Sequence, residues 1–351
     1  IKMRIKIIYL ILFVLGSFTL SSAQVQLNAA GATFPYVIYS KWFDEFKKLT
    51  GIQINYQSIG SGGGIKQVIE GTVDFGASDG PMSDEQLKEA KQKRGTEIVH
   101  IPTVLGAVVL SYNLKEVNKP IKLDGKTIAD IFLGKIYMWN DKRIAELNPD
   151  IKLPNKSIIV VHRSDGSGTT FIFTNYLTKV SDEWAKKVGC NTSVNWPIGL
   201  GGKGNEGVTG VIKQTDGAIG YVELAYAVKN KLPYALIKNK ANNFVEANFK
   251  TVSAASDGAS KNMPDDLRAM ITDADGKDSY SISGFTWLLV YKDMKDKAKA
   301  EALVKFLKWA MEKGQTYAEE LYYAPLPPSV IKLNLKKINS LTLNGKPIRI
   351  K

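Results

Sequence analysis

Arg163 and Asp165 stand two residues apart where the apolar run SIIVV (157–161) gives way to a Gly-Ser-Gly-Thr-Thr turn at 166–170. Gly166 and Gly168 free the backbone for a tight bend, and the stretch from Thr169 predicts a helix whose first N–H groups point outward unpaired. Such a turn can cap itself through Asp165, Ser167 and Thr169, with Arg163 paired to Asp165 at the surface. It can also hold an anion at the helix start. Recurrence decides between the two readings. ATFP at 32–35 and GSGGG at 60–64 also place small or hydroxyl residues between a strand and a helix. In an open parallel sheet these turns all lie at the carboxyl edge of the strands, where ligands bind. Three helix starts aimed into one cleft would surround a tetrahedral anion with N–H groups and the hydroxyls of Thr33, Ser61, Ser167 and Thr169. Arg163 supplies a full positive charge, and Asp165 can orient its guanidinium for forked hydrogen bonding.

Asp79, which closes VDFGASD, falls on the same edge, where a carboxylate repels an anion. A turn-forming aspartate before Gly80 and Pro81 is the plain reading. The sharper one is a ligand that carries a proton. Phosphate keeps at least one near neutral pH and can donate it to a buried carboxylate, whereas sulfate has none. A bare dianion would leave Asp79 buried, unpaired and repelled, so sulfate is expected to be rejected and arsenate to pass.

The elements that must position these residues alternate along the chain. VQLNAAG reads as a strand, YVIYSKWFDEFKKL as a helix stopped by Gly51, IQINYQSI as a second strand, and IKQVIEG as a helix closed by Gly71. Ser83 and Gln86 form a capping box for a helix over 84–94. IPTVLGAVVLSYN (101–113) is a long apolar strand able to cross from one lobe to another, and GFTWLLVYKD (284–293) is a second buried strand before an amphipathic helix over about 295–313. Strand, helix, strand predicts an α/β fold with mainly parallel sheets and crossover helices. The chain of 351 residues suits two lobes, the first formed by 24–104 and 285–351 and the second by 105–284, with a cleft between them.

At the start, Lys2, Arg4 and Lys6 precede a short apolar run and the small residues Ser21 and Ala23, which reads as a secretory signal peptide over 1–23. Those three bases belong to a formal charge of +13 that is otherwise dispersed among acids, not the stripe that nucleic-acid binding needs. The only cysteine, Cys190, can form no internal disulfide, and it does not follow the signal as a lipid anchor would require. With two histidines, neither a structural zinc site nor a Ser-His-Asp enzyme is expected, and no metal or cofactor is called for. GLGGKG (199–204) matches a dinucleotide fingerprint but follows Trp196 and Pro197 with no evident strand, so it reads as a loop capping a helix from Gly204. Tyr322, Tyr323, Pro325, Pro327 and Pro328 read as a packed turn.

AGATFPYVIYSKW, YQSIGSGGGIKQVIEGTVDFGASD, DGKTIADIFLGKI, VHRSDGSGTTFIFTNYL, WPIGLGGKGNEGV and GAIGYVELAYA, in this order, resemble the periplasmic phosphate-binding proteins of phosphate-specific ABC transporters. The resemblance spans nearly all of the chain after the signal. It implies a two-lobe periplasmic binding protein of type II topology that closes on inorganic phosphate and hands it to a membrane permease and its ATPase. By the same resemblance the phosphate ligands are Thr33, Phe34, Ser61, Asp79, Arg163, Ser167, Gly168 and Thr169, with Phe34 acting through its backbone and Asp165 supporting the arginine. The chain departs from the pattern at Ala29, where a glycine is frequent, and at Gly62, where others carry a second serine. A monomeric, periplasmic, non-enzymatic binder is therefore expected. The alternatives are a receptor for sulfate, molybdate or another oxyanion, and a secreted phosphatase using Ser61 or Ser167, which lacks a base or metal beside the serine.

Overall fold

The structure is a computed structural model that describes residues 25–350, so the signal-peptide reading over 1–23 lies outside it. The first part of the chain runs β1 (Gln26–Gly31), α1 (Tyr36–Thr50), β2 (Gln53–Ser58), α2 (Ser61–Glu70), β3 (Phe75–Ser78) and α3 (Asp84–Arg94) into the long strand β4 (Ile98–Tyr112). Then come β5 (Lys122–Leu123), α4 (Gly125–Phe132), α5 (Lys142–Leu147), β6 (Ile159–Arg163), α6 (Gly168–Val180), α7 (Asp182–Lys187), β7 (Leu200–Gly202), α8 (Gly204–Gln214) and β8 (Ala218–Glu223). After these follow α9 (Leu224–Lys229), β9 (Leu236–Lys238), β10 (Phe244–Val245), α10 (Phe249–Lys261), β11 (Ser283–Tyr291), β12 (Asp293–Met294), α11 (Lys297–Glu312), α12 (Pro328–Asn339), β13 (Thr342–Leu343) and β14 (Lys346–Pro347).

The main sheet has eight strands in the order β2-β1-β3-β11-β4-β8-β6-β7. Its two flanks are parallel: β1 with β2 and β3, and β6 with β7 and β8. Between them β11 and β4 pair antiparallel to each other, and β4 pairs antiparallel to β8. The residues that make β4 are buried throughout, which suits its near-continuous apolar sequence. It serves both halves: residues up to Ala107 pair with β11, and Val108 to Tyr112 pair with β8. Because β4 and β8 run in opposite directions, the two parallel flanks point their carboxyl ends at each other. β1, β2 and β3 deliver Thr33, Ser61 and Asp79 to one side of the junction, and β6 and β7 deliver Arg163 and Gly204 to the other.

Each half has an aromatic core behind its turns. Trp42, Phe43 and Phe46 of α1 gather on Phe306 of α11, with Phe43 and Phe46 each 5.4 Å from it. In the second half Phe173 of α6 lies 4.5 Å from Tyr221 and 4.8 Å from Phe132. Fully burying a side chain of this size stabilises by roughly 1.5–3 kcal/mol, so helices carrying several such residues are fixed firmly against the sheet. The starts of α1 and α6 are held in place accordingly.

Of two local expectations, one is met and one differs in detail. The capping box is present, with Gln86 N–H donating to Ser83 Oγ and Ser83 N–H to the Gln86 side chain. The stretch 199–204, read as a loop, instead contains the three-residue strand β7, and α8 starts at Gly204. The strand was hidden because Leu-Gly-Gly has no strand-forming composition, and its pairing with Val161 to Arg163 alone makes it one. Among the described residues no helix is long and apolar enough to cross a membrane.

Candidate functional site

The three turns meet. Gly62 N–H of α2 donates across the junction to the Gly166 carbonyl at 2.9 Å, so the two halves lie closed on each other. Gly60, at φ 88°, makes the bend that brings α2 this close, and any side chain there would strike the Asp165 carboxylate. A Cβ placed on Gly168 would lie 2.5 Å from both Ser61 Oγ and Asp79 Oδ2. Glycine is therefore required at 168 by the approach of the opposite wall, not by its own backbone angles.

Ser61 sits fully buried at the start of α2, where its Oγ accepts the Asp79 N–H at 3.2 Å and lies 3.5 Å from Asp79 Oδ2. Asp79 is 1% exposed, and its other oxygen accepts a hydrogen bond from Thr286 of β11 at 2.7 Å. Burial pushes the Asp79 carboxyl up to about 7, although Thr286, the Arg163 charge and Ser61 pull it down. The group thus changes charge near neutral pH.

On the facing wall Arg163 is 3% exposed and forks onto Asp165, with Nε donating to Oδ1 at 2.8 Å and Nη2 to Oδ2 at 2.5 Å. Its Nη1 donates to Thr169 Oγ1 at 3.3 Å, and its backbone N–H to Tyr221 Oη at 3.0 Å. The Gly204 N–H at the start of α8 adds a third donor to Asp165. Burial works to raise the Asp165 carboxyl, but the Arg163 hydrogen bonds and charge and the Gly204 N–H hold it below the usual carboxylate range. Arg163 is buried and Asp165 half-buried, so the pair is not a superficial one, and its orientation leaves one edge of the guanidinium toward Thr169. Ser167 is the N-cap of α6: its Oγ accepts the Thr170 N–H at 3.0 Å, while its own N–H donates to the Thr192 carbonyl. The first-turn N–H groups of Gly168 and Thr169 have no intrahelical acceptor.

Thr33 and Phe34 enter from the β1–α1 turn. Thr33 Oγ1 accepts from Asn205 of α8, and the Phe34 carbonyl accepts from Tyr323 Oη at 2.7 Å. All nine residues singled out by sequence are thus brought to one junction. Three more belong with them that sequence reasoning passed over: Asn205, Thr286 and Tyr323. Asn205 lies inside the GNEGV motif, Thr286 lies 207 residues from Asp79 with no local sign of the contact, and Tyr323 falls in a Tyr-Pro stretch that reads as packing. His162 stacks on Trp196 at 4.8 Å and is no part of the cluster. Among the described residues no group of three or more His, Cys, Asp or Glu side chains could hold a metal ion.

Comparison with known proteins agrees with this architecture. Residues 19–313 match the model of the PBP superfamily domain. The phosphate-binding protein PstS of Xylella fastidiosa (strain 9a5c) is 46% identical over 310 residues, covering 88% of this chain and 84% of that one. PstS of Haemophilus influenzae is 45% identical over 322 residues, covering 91% and 94%. In fold, the chain superposes with a TM-score of 0.70 on a high affinity periplasmic phosphate-binding protein, PfluDING, bound with phosphate, at 22% identity and with 88% and 92% covered. Relatives this similar over nearly the whole length place the chain in the PstS family of phosphate-binding proteins.

Proposed function

We propose that this chain captures one inorganic phosphate in the junction between its two halves and delivers it to the permease and ATPase subunits of a phosphate ABC transporter. Arg163, the N–H groups at the starts of α1, α2 and α6, and the hydroxyls of Thr33, Ser61, Ser167 and Thr169 hold the anion. Phe34 and Gly168 contribute through the backbone, and Asp165 keeps the guanidinium in register. The observation that carries the reading is Asp79, a buried carboxylate with no cation of its own, in hydrogen-bond range of Ser61 and within reach of the Arg163 field. An acceptor there selects an oxyanion that still has a proton to donate. Sulfate and molybdate have none, and above about pH 7, where Asp79 is ionised, they would leave the carboxylate buried and unpaired.

The chain acts as a monomeric periplasmic receptor and not as an enzyme. The relatives are phosphate-binding proteins, and the contacts of the two serines are with their own walls: Ser61 Oγ with the Asp79 N–H and carboxylate, and Ser167 Oγ with the Thr170 N–H. Release follows from opening of the two lobes, 24–104 with 285–351 against 105–284. That division is supported by the change of partner within β4 from β11 to β8 between Ala107 and Val108. A permease that prefers the closed form obtains differential binding from it.

Titration calorimetry with phosphate, on protein unfolded and dialysed to strip carried-over ligand, tests the proposal. At pH 8, one-to-one binding that excess sulfate does not displace is expected. Equal binding of both ions makes the chain a general oxyanion receptor, and binding of neither removes the reading.

A further inference from the structure

The Asn205 side chain is fully buried and makes three hydrogen bonds, two of them to hydroxyls on opposite walls. Its Nδ2 donates to Thr33 Oγ1 at 2.8 Å and to Thr169 Oγ1 at 3.0 Å, while its Oδ1 accepts the Glu223 N–H at 2.8 Å. That backbone donor fixes the amide: only oxygen can face an N–H, so the NH2 must face the two threonines. Each threonine has a second N–H donor as well. Thr33 Oγ1 also accepts the Asn205 backbone N–H at 3.2 Å, and Thr169 Oγ1 also accepts Arg163 Nη1 at 3.3 Å.

A hydroxyl has two acceptor lone pairs and one hydrogen. With both lone pairs filled by N–H groups, the oxygen can accept nothing further, and its hydrogen must be donated elsewhere. Among the described residues neither hydroxyl hydrogen has a protein acceptor, although both oxygens are buried. Without Asn205 each hydroxyl could rotate and accept. With it, both can only donate.

We infer that Asn205 is a positioning residue: by filling the acceptor sites of Thr33 and Thr169, it makes both hydroxyls obligate donors, one from each wall, to an oxyanion held between them. The inference rests on phosphate being the ligand of this junction. It separates two roles, since Asn205 sets the polarity of the hydroxyls whereas Asp79 asks whether the anion has a proton. Loss of Asn205 should weaken phosphate and arsenate by the same factor.

The test is a double-mutant cycle read by phosphate titration calorimetry. Asn205→Ala in the parent is expected to weaken phosphate about 10- to 100-fold. In a Thr33→Val, Thr169→Val background, where there are no hydroxyls left to orient, the same change should cost less than about 3-fold, because residues acting through one another are non-additive. An asparagine that acts through its bond with the Glu223 N–H would cost the same factor in both backgrounds, and one that only bridges the walls would lower the ligand-free melting temperature of the parent as much as Thr33→Val, Thr169→Val does; either result, or no loss of phosphate affinity in the parent, overturns the inference. Should Asn205→Ala fail to fold, Asn205→Leu keeps the volume and carries the same cycle. Failure of the unmutated protein to bind phosphate at all would instead remove the functional reading on which the inference rests.

Discussion

Asp165 and Asp79 are carboxylates beside helix starts, one on each wall of the junction, the first half-buried and the second fully buried, and their charges are governed differently. Asp165 receives two hydrogen bonds from the Arg163 guanidinium and one from the Gly204 N–H, and stays ionised below the usual range. Asp79 receives only hydroxyl groups, from Thr286 and Ser61, and burial prevails, raising it to about 7. The wall of α6 is therefore a permanent cation with its counter-ion tucked behind it, suited to attract any oxyanion. The wall of α2 and β3 responds to protons and is suited to choose among oxyanions. In the proposed function, capture and discrimination fall to different strands of the sheet.

Removing the cation should break the first wall outright. Arg163→Ala removes the buried cation that would face the anion, and truncating one partner of a buried hydrogen-bonded charge pair costs about 2–5 kcal/mol of binding, so phosphate and every other oxyanion should weaken by about 100-fold or more in calorimetry. Retained phosphate affinity would refute the role of that wall. Gly168→Ala puts a methyl group onto Ser61 Oγ and Asp79, and overpacking of this kind costs about 1–3 kcal/mol. Closure and phosphate affinity should fall about 10-fold, with the ratio of phosphate to sulfate little changed.

The second wall can be sharpened without any ligand. A carboxyl raised from its ordinary value of 3.8 to about 7 contributes stability that is complete below 3.8 and is lost as pH rises through about 7. Asp79→Asn, which cannot ionise, should melt higher than the parent in phosphate-free buffer at pH 8, with the gap closing toward pH 4. A gap that is independent of pH would mean that Asp79 does not titrate there. The smallest effect is expected from Gly62→Ser, whose Cβ would stand 3.1 Å from Gly166 Cα, a contact that a slight shift relieves. Phosphate affinity should change by less than about 3-fold.

The difference between the walls also marks what could be read from sequence. The helix starts at Thr33, Ser61 and Ser167 were legible because glycines and hydroxyls beside an apolar run are local signals, and so was the Ser83–Gln86 cap. Length and unbroken hydrophobicity disclosed β4 as the strand that passes between the halves. What sequence did not disclose is pairing at long range. The insertion of β11 antiparallel between β3 and β4 sets Thr286 against Asp79, and the folding of α8 over the β1–α1 turn sets Asn205 against Thr33, 172 residues away. Neither contact leaves a periodicity or a motif. Asp165 could be read as a partner of Arg163 from their spacing alone, whereas the partners of Asp79 had to come from the sheet.

The central claim is that Asp79 selects the anion by its proton, and sulfate binding followed against pH tests it most directly. Calorimetry of the parent and of Asp79→Asn with sulfate from pH 8 to pH 5 should show the parent rejecting sulfate at pH 8 and admitting it progressively as pH falls through about 7, when the carboxyl gains its own proton. The variant should bind sulfate almost equally across the range. A parent that rejects sulfate as strongly at pH 5 as at pH 8, or a variant that rejects it as the parent does, would contradict the account.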